Sequence, residues 1–204
     1  MTLPSTVYAV DDDPFILSLL EKILKNANRA IETYASAEDF LRGYSPANPG
    51  CILVDMLMPG MSGLELQDVL LEQGNYTPII FLSGAAKVRF AVEALKSGAV
   101  DYLEKPISAG QLVETVDRAI EQDMANRYER LQRSHIELKV SQLTARESEV
   151  MNWLVKGNSN KMIAQILGIS SRTVEIHRRN IIAKMQAQSV LDLVNMMNEL
   201  ESGP

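Results

Sequence analysis

With a single cysteine in 204 residues the chain cannot close an intramolecular disulfide, and a cysteine-rich metal site is excluded with it. Long apolar runs are also missing: no stretch approaches the roughly 18 to 20 residues that a membrane span requires. The amino terminus lacks a basic segment followed by an apolar one, so no secretory signal is expected and the protein belongs in the cytoplasm, away from membranes. The two histidines, His135 and His177, are too far apart and too unsupported to suggest a metal pair. No internal repeat or low-complexity tract interrupts the sequence. What is present is 46% hydrophobic and 23% charged, the balance of a globular protein with room for two small cores.

A formal net charge of -6 argues against a generic nucleic-acid binder, but the charge is unevenly spread. Residues 1 to 122 hold 9 basic and 17 acidic side chains, whereas residues 123 to 204 hold 11 and 9. Within the rear half, Lys161, Arg172, Arg178, Arg179 and Lys184 stand against the single acid Glu175, and this is the place to seek phosphate contacts.

In the front half, Thr6 to Val10, Ala30 to Tyr34, Cys51 to Asp55, Pro78 to Ser83 and Val100 to Glu104 read as strands. Helical patterns lie between and after them, at about Pro14 to Asn26, Ala37 to Gly43, Leu64 to Gln73, Lys87 to Ser97 and Ala109 onward. Alternation of this kind predicts a five-stranded parallel sheet with helices on both faces, whose ligand sites gather at the carboxyl ends of the strands. From Gln111 the helical pattern runs on to about Val140, with Met124, Leu131 and Leu138 seven apart and Tyr128 and His135 between them. That seam either packs on its own chain or pairs two protomers. Beyond it, Thr144 followed by Glu147 fits a capping box, and Gly157, Gly168 and Ser170-Ser171 punctuate helices at about Asn160 to Leu167, Ser171 to Met185 and Ser189 to Leu200. The predicted division is 1–122, 123–140 for a helical linker, and 141–204.

The chemistry is concentrated at strand ends. Thr6 to Val10 empties into Asp11, Asp12 and Asp13, and Cys51 to Val54 empties into Asp55. Clustered carboxylates raise one another's pKa unless a cation neutralises them, and oxygen ligands on rigid strand ends suit Mg2+ or another divalent cation. Ser83 and Lys105-Pro106 end two further strands, adding a hydroxyl and an ammonium. A cation, a hydroxyl and a lysine around one carboxylate are what phosphoryl transfer asks for, with Asp55 as nucleophile.

The segments Val7 to Asp13, Val54 to Gly63, Phe81 to Ala85 and Asp101 to Pro106 together resemble the receiver domains of response regulators. The resemblance covers residues 5 to 122 and implies a doubly wound, flavodoxin-like α/β fold. It implies that Asp55 accepts a phosphoryl group from a sensor histidine kinase, and that Asp11, Asp12, Asp55 and the Leu57 carbonyl hold Mg2+. It further implies that Ser83 and Lys105 hold the phosphoryl oxygens, that Tyr102 is the switch aromatic, and that the Lys105–Pro106 bond is a candidate for cis.

In the rear half, helix, glycine turn and helix follow the order of a helix-turn-helix, with the second helix in a major groove. Ile163, Ile166, Leu167, Ile169, Val174, Ile181 and Ile182 are its expected core, and Trp153 also reads as core. The segments Leu143 to Glu147, Gly157 to Lys161 and Ile169 to His177 resemble the all-α LuxR-type domain of the NarL/FixJ regulators, and nearly the whole chain is similar to the FixJ-like branch. That resemblance implies base reading by Glu175, Ile176 and Arg179, with phosphate contacts from Lys161, Thr173, Asn180 and Lys184. Glu175 departs from the lysine common at its place in LuxR-type domains, which removes a cationic contact and offers an acceptor for a cytosine amino group.

The expected function is that of a transcription factor, not an enzyme, switched by Asp55 phosphorylation and binding double-stranded DNA as a homodimer when phosphorylated. Two other readings stand beside it. A Mg2+ phosphatase of the haloacid-dehalogenase type would carry a second aspartate two positions after the nucleophile, where this chain has Leu57. A phosphorylation-independent dimer scaffold has no evident need of clustered carboxylates.

Overall fold

Strand residues alternate between two apolar layers, and the whole front half is organised by that alternation. The computed structural model describes residues 5–45, 48–84 and 101–201. Strands β1 (Thr6–Val10), β2 (Ala30–Tyr34), β3 (Gly50–Asp55), β4 (Ile79–Ser83) and β5 (Asp101–Glu104) form one parallel sheet in the order β2-β1-β3-β4-β5. Tyr8, Val10, Ile52, Val54 and Phe81 point to one face, into a layer with Phe40 and Leu66 of helices α2 (Ala37–Gly43) and α3 (Gly63–Glu72). Val7, Ala9, Cys51, Leu53, Ile80 and Leu82 point to the other, toward Leu20 and Leu24 of α1 (Pro14–Asn26) and Leu112 and Val116 of the long helix α4 (Ala109–Ser141). Because both faces are covered, β1, β3 and β4 are buried at every position, and they read as continuous apolar runs. Cys51 packs in this core as expected.

The strand order reverses direction between β1 and β3, where a crevice opens at the carboxyl ends of an open α/β sheet. The register sets Val10 beside Val54, so the residues that follow, Asp11 and Asp55, leave the sheet side by side. At the opposite edge, Gly50 begins β3 where a Cβ would lie 2.0 Å from the Thr6 carbonyl oxygen, so only glycine fits. Its N–H donates to the buried Asp123 carboxylate of α4 at 2.9 Å, and Arg127 one turn on donates to the same carboxylate at 2.6 Å. The helix expected at Lys87 to Ser97, and Val100 at the expected start of β5, lie outside the described residues.

The chain divides into two compact units, Met1–Arg127 and Tyr128–Pro204. In the second unit, α5 (Ala145–Leu154), α6 (Asn160–Leu167), α7 (Ser171–Met185) and α8 (Val190–Glu201) pack with Ile136 and Val140 of α4. Each of the first three starts on a side-chain cap, Thr144, Ser159 and Ser170, that accepts from the third backbone N–H of its helix. Thr144 and Glu147 complete the expected capping box. Gly168, at φ +64°, supplies the left-handed turn between α6 and α7. Ile163, Val174 and Ile181 are fully buried, and Leu167, Ile169, Ile182 and Trp153 pack against them in part. Ile166 is a correction: it is 44% exposed, because α6 is only eight residues long and its apolar stripe is wider than the face it buries.

Candidate functional sites

The three aspartates after β1 have three different fates. Asp11 is buried, 1% exposed, and its Oδ1 accepts the Asp13 N–H at 2.9 Å. Asp12 is exposed at the turn, and Asp13 caps α1 by accepting the Phe15 N–H at 2.9 Å, with Pro14 in the first helical turn. Helix capping and site chemistry therefore share one short run.

Asp55 ends β3 with both oxygens engaged. Oδ2 accepts the Leu57 N–H at 2.7 Å, which folds the following loop back over the strand end, and Oδ1 accepts from the Lys105 ammonium at 2.6 Å. The same ammonium donates to Asp11 Oδ2 at 2.7 Å, so one lysine joins the ends of β1 and β3. Burial raises the Asp11 pKa despite the opposing pull of Lys105 and the Asp13 N–H. For Lys105, burial disfavours the charge, but Asp11 and Asp55 together outweigh it and the pKa is raised. Lys105 continues the sheet past β5 by donating its backbone N–H to the Ser83 carbonyl at 2.7 Å, and the Lys105–Pro106 peptide is cis.

Ser83 is buried at the end of β4, and its hydroxyl donates to the neighbouring Gly84 carbonyl at 3.0 Å. Tyr102, on β5, is half-buried and packs on the layer that contains Phe81. Asp11, Asp55, Ser83 and Lys105 are thus brought to one sheet edge. Among the described residues, no three histidine, cysteine, aspartate or glutamate side chains converge as a metal cage. The donor set nevertheless fits a hydrated hard cation: two carboxylates already share one positive charge, and a third lies exposed beside them.

In the second unit, α7 turns Glu175, Ile176, Arg179 and Asn180 to solvent while Val174 and Ile181 face the core. Thr173 is half-buried behind the Ser170 cap, and its hydroxyl pairs with that of Ser170. Lys161 is exposed on α6. Lys184 is engaged otherwise: its ammonium donates to buried Glu147 at 2.6 Å and to the Gln142 carbonyl at 3.2 Å. Lys184 and the capping N–H and hydroxyl of Thr144 hold the Glu147 carboxyl down at about 2. Three acids in working positions escaped the sequence reading: Asp123, Glu147 as partner of Lys184, and Glu38, which accepts the Met61 N–H at 3.1 Å. Only the capping-box spacing hinted at any of them. Among the described residues no helix is long and apolar enough to cross a membrane.

Comparison with known proteins agrees with both halves. Residues 7–117 match the response regulator receiver domain, and residues 141–197 match the bacterial regulatory proteins of the luxR family. The chain is 35% identical to the response regulator protein TodT of Pseudomonas putida over 97% of its own length and 87% of that protein. It is 38% identical to the transcriptional regulatory protein FixJ of Azorhizobium caulinodans, over 93% of this chain and 90% of that one. Its fold is similar to the solved structure of the response regulator StyR, with a TM-score of 0.84, 35% identity, and coverage of 96% of this chain and 99% of that one.

Proposed function

The chain belongs to the FixJ-like response regulators, DNA-binding transcriptional regulators rather than enzymes, and on that premise we propose that Asp55 is the residue phosphorylated by a sensor histidine kinase. The observation that carries this reading is the Lys105 ammonium shared between Asp11 and Asp55 at the carboxyl edge of the sheet. It sets one positive charge against two adjacent carboxylates and leaves a cation beside the incoming phosphoryl group.

In the transfer, an Asp55 carboxylate oxygen forms a bond to phosphorus as the bond from phosphorus to the donor imidazole nitrogen breaks. Leu57 fixes the Asp55 rotamer through its N–H, and Lys105 then follows the negative charge onto the phosphoryl oxygens. The Ser83 hydroxyl leaves its local carbonyl partner and donates to a phosphoryl oxygen, and Tyr102 fills the space that opens behind it. Receiver domains of response regulators generally bind Mg2+. Here Asp11, Asp12, Asp55 and the Leu57 carbonyl would hold it, and it would neutralise charge on the transferred group.

The domains of this reading are a receiver at 1–122, a helical linker at 123–140 and a LuxR-type domain at 141–204. Phosphorylation pairs two copies on a two-half-site operator. Glu175, Ile176 and Arg179 read base edges from the exposed face of α7, and Lys161, Thr173 and Asn180 contact phosphates. Lys184 uses two N–H groups internally and directs its third to the backbone. A regulator of genes fed by a kinase works in the cytoplasm.

Intact mass after incubation with Mg2+ and a small phosphodonor tests the central claim. The parent gains one phosphoryl adduct and Asp55→Asn, which has nearly the same shape, gains none. An adduct on Asp55→Asn, or none on the parent with Mg2+ bound, overturns it.

A further inference from the structure

We propose that Glu38 is a positioning residue for the phosphorylation site, acting through the loop that carries the Leu57 carbonyl; this rests on the reading of Asp55 and its cation given above. The loop from Met56 to Ser62 leaves the end of β3 and must hold Leu57 in one orientation, because its N–H holds Asp55 Oδ2 and its carbonyl would face the cation. Packing holds its neighbours Met56 and Met58, which are buried, whereas the Leu57 side chain is 57% exposed and the arm beyond, Pro59 and Gly60, is exposed as well. The two ends of the loop are pinned to the protein body, by the Met56 N–H on the Leu82 carbonyl and the Gly63 N–H on the Met56 carbonyl.

The outer arm is gripped from a different element. Glu38, in the first turn of α2, reaches across 23 residues of sequence to accept the Met61 N–H at 3.1 Å. Its helix is a rigid base: Ser36 caps it, and Ala37 and Phe40 on either side of Glu38 are fully buried. Gly60 completes the fit. Its φ of +78° turns the loop, and a Cβ there would lie 2.7 Å from Glu38 Oε1, so the carboxylate sits directly against the turn. Glu38 therefore sets the curvature of the arm, and through it the direction of the Leu57 peptide, without touching Asp55 or the cation. Hydrogen-bonding partners one step removed from a metal commonly change its affinity by roughly 10- to 100-fold.

The test uses the full-length protein and Mg2+ itself. Calorimetric Mg2+ titrations of the parent, Glu38→Ala and Glu38→Gln are paired with melting curves recorded without divalent cations. Alanine suits the half-buried Glu38 position in the first turn of α2, so the metal-free melting temperature stays near that of the parent while Mg2+ affinity falls about tenfold and phosphoryl uptake slows. Glutamine keeps an acceptor oxygen for the Met61 N–H and restores binding. Parent-like Mg2+ affinity in Glu38→Ala overturns the proposal, as does a lowered metal-free melting temperature with unchanged affinity. Equal loss in both variants also overturns it, since charge rather than the tether would then be responsible. A parent that binds no Mg2+ and takes up no phosphoryl group overturns the reading of Asp55 itself, and the Glu38 proposal falls with it.

Discussion

Glu147 and Lys184 meet at 2.6 Å on a carboxylate oxygen that also accepts the Thr144 N–H and hydroxyl, at 2.9 and 3.0 Å. One buried oxygen thereby starts α5 and holds the carboxyl-terminal end of α7, the helix proposed to read DNA. The capping box is local; its use as the anchor of α7 is not.

The Glu147 carboxyl titrates at about 2 in the folded protein, against an unfolded value of 4.5. Its stabilisation is therefore complete above pH 4.5 and lost as pH falls from there toward 2. Solvent around the half-exposed Lys184 reduces the full linkage value, leaving on the order of 2 kcal/mol. Trp153, the single tryptophan, lies in this unit and reports its unfolding alone. Denaturant melts followed by its fluorescence should lose that stability progressively as pH falls from 4.5 toward 2 in the parent and much less in Glu147→Gln. Equal acid sensitivity in both would refute the assignment.

Lys161 and Lys184 should separate in a salt titration of operator binding. Each loses one phosphate contact on substitution by methionine, so each lowers the slope of log affinity against log salt by about 1. Lys184→Met also destabilises the helical unit by about 2 kcal/mol, because it strands buried Glu147; Lys161→Met does not. An unchanged slope for Lys184→Met would mean that its ammonium serves only Glu147 and Gln142.

Removing Lys105 leaves Asp11 and Asp55 facing each other without a cation. Lys105→Met should cost about 2 kcal/mol in urea melts without divalent ions and regain much of it in millimolar Mg2+, while phosphoryl uptake falls. If Mg2+ restored no more stability than it adds to the parent, neutralisation by Lys105 would not be its structural role.

Arg179→Ala should weaken operator binding by about 1 to 3 kcal/mol and relax the preference at a single base pair in each half-site. A uniform loss over all sequences would reassign Arg179 to the phosphate backbone.

Where structure depends on neighbours in sequence, the reading was close. Apolar runs and caps delimited β1, β2, α1, α2, α6 and α7 at their observed ends. The four strand-end features that suggested phosphoryl chemistry meet at one edge, because parallel register carries the alignment of Val10 and Val54 on to Asp11 and Asp55. Ile166 misled because helical periodicity marks a face but not how much of it is covered. Asp123, Glu147 and Glu38 sat on helices like ordinary surface acids. Their partners, Gly50, Lys184 and Met61, are 73, 37 and 23 residues away, and only the tertiary fold brings them together.

Strand β3 ends in Asp55 and begins at Gly50, the residue whose N–H is held by Asp123 of the long helix. Five residue steps of extended chain separate the two, about 17 Å. Extended backbone resists stretching, so the strand ties the carboxylate at one end to the helix-held N–H at the other at a fixed separation. The path from the carboxylate along β3 to the root of the long helix thus contains no loop.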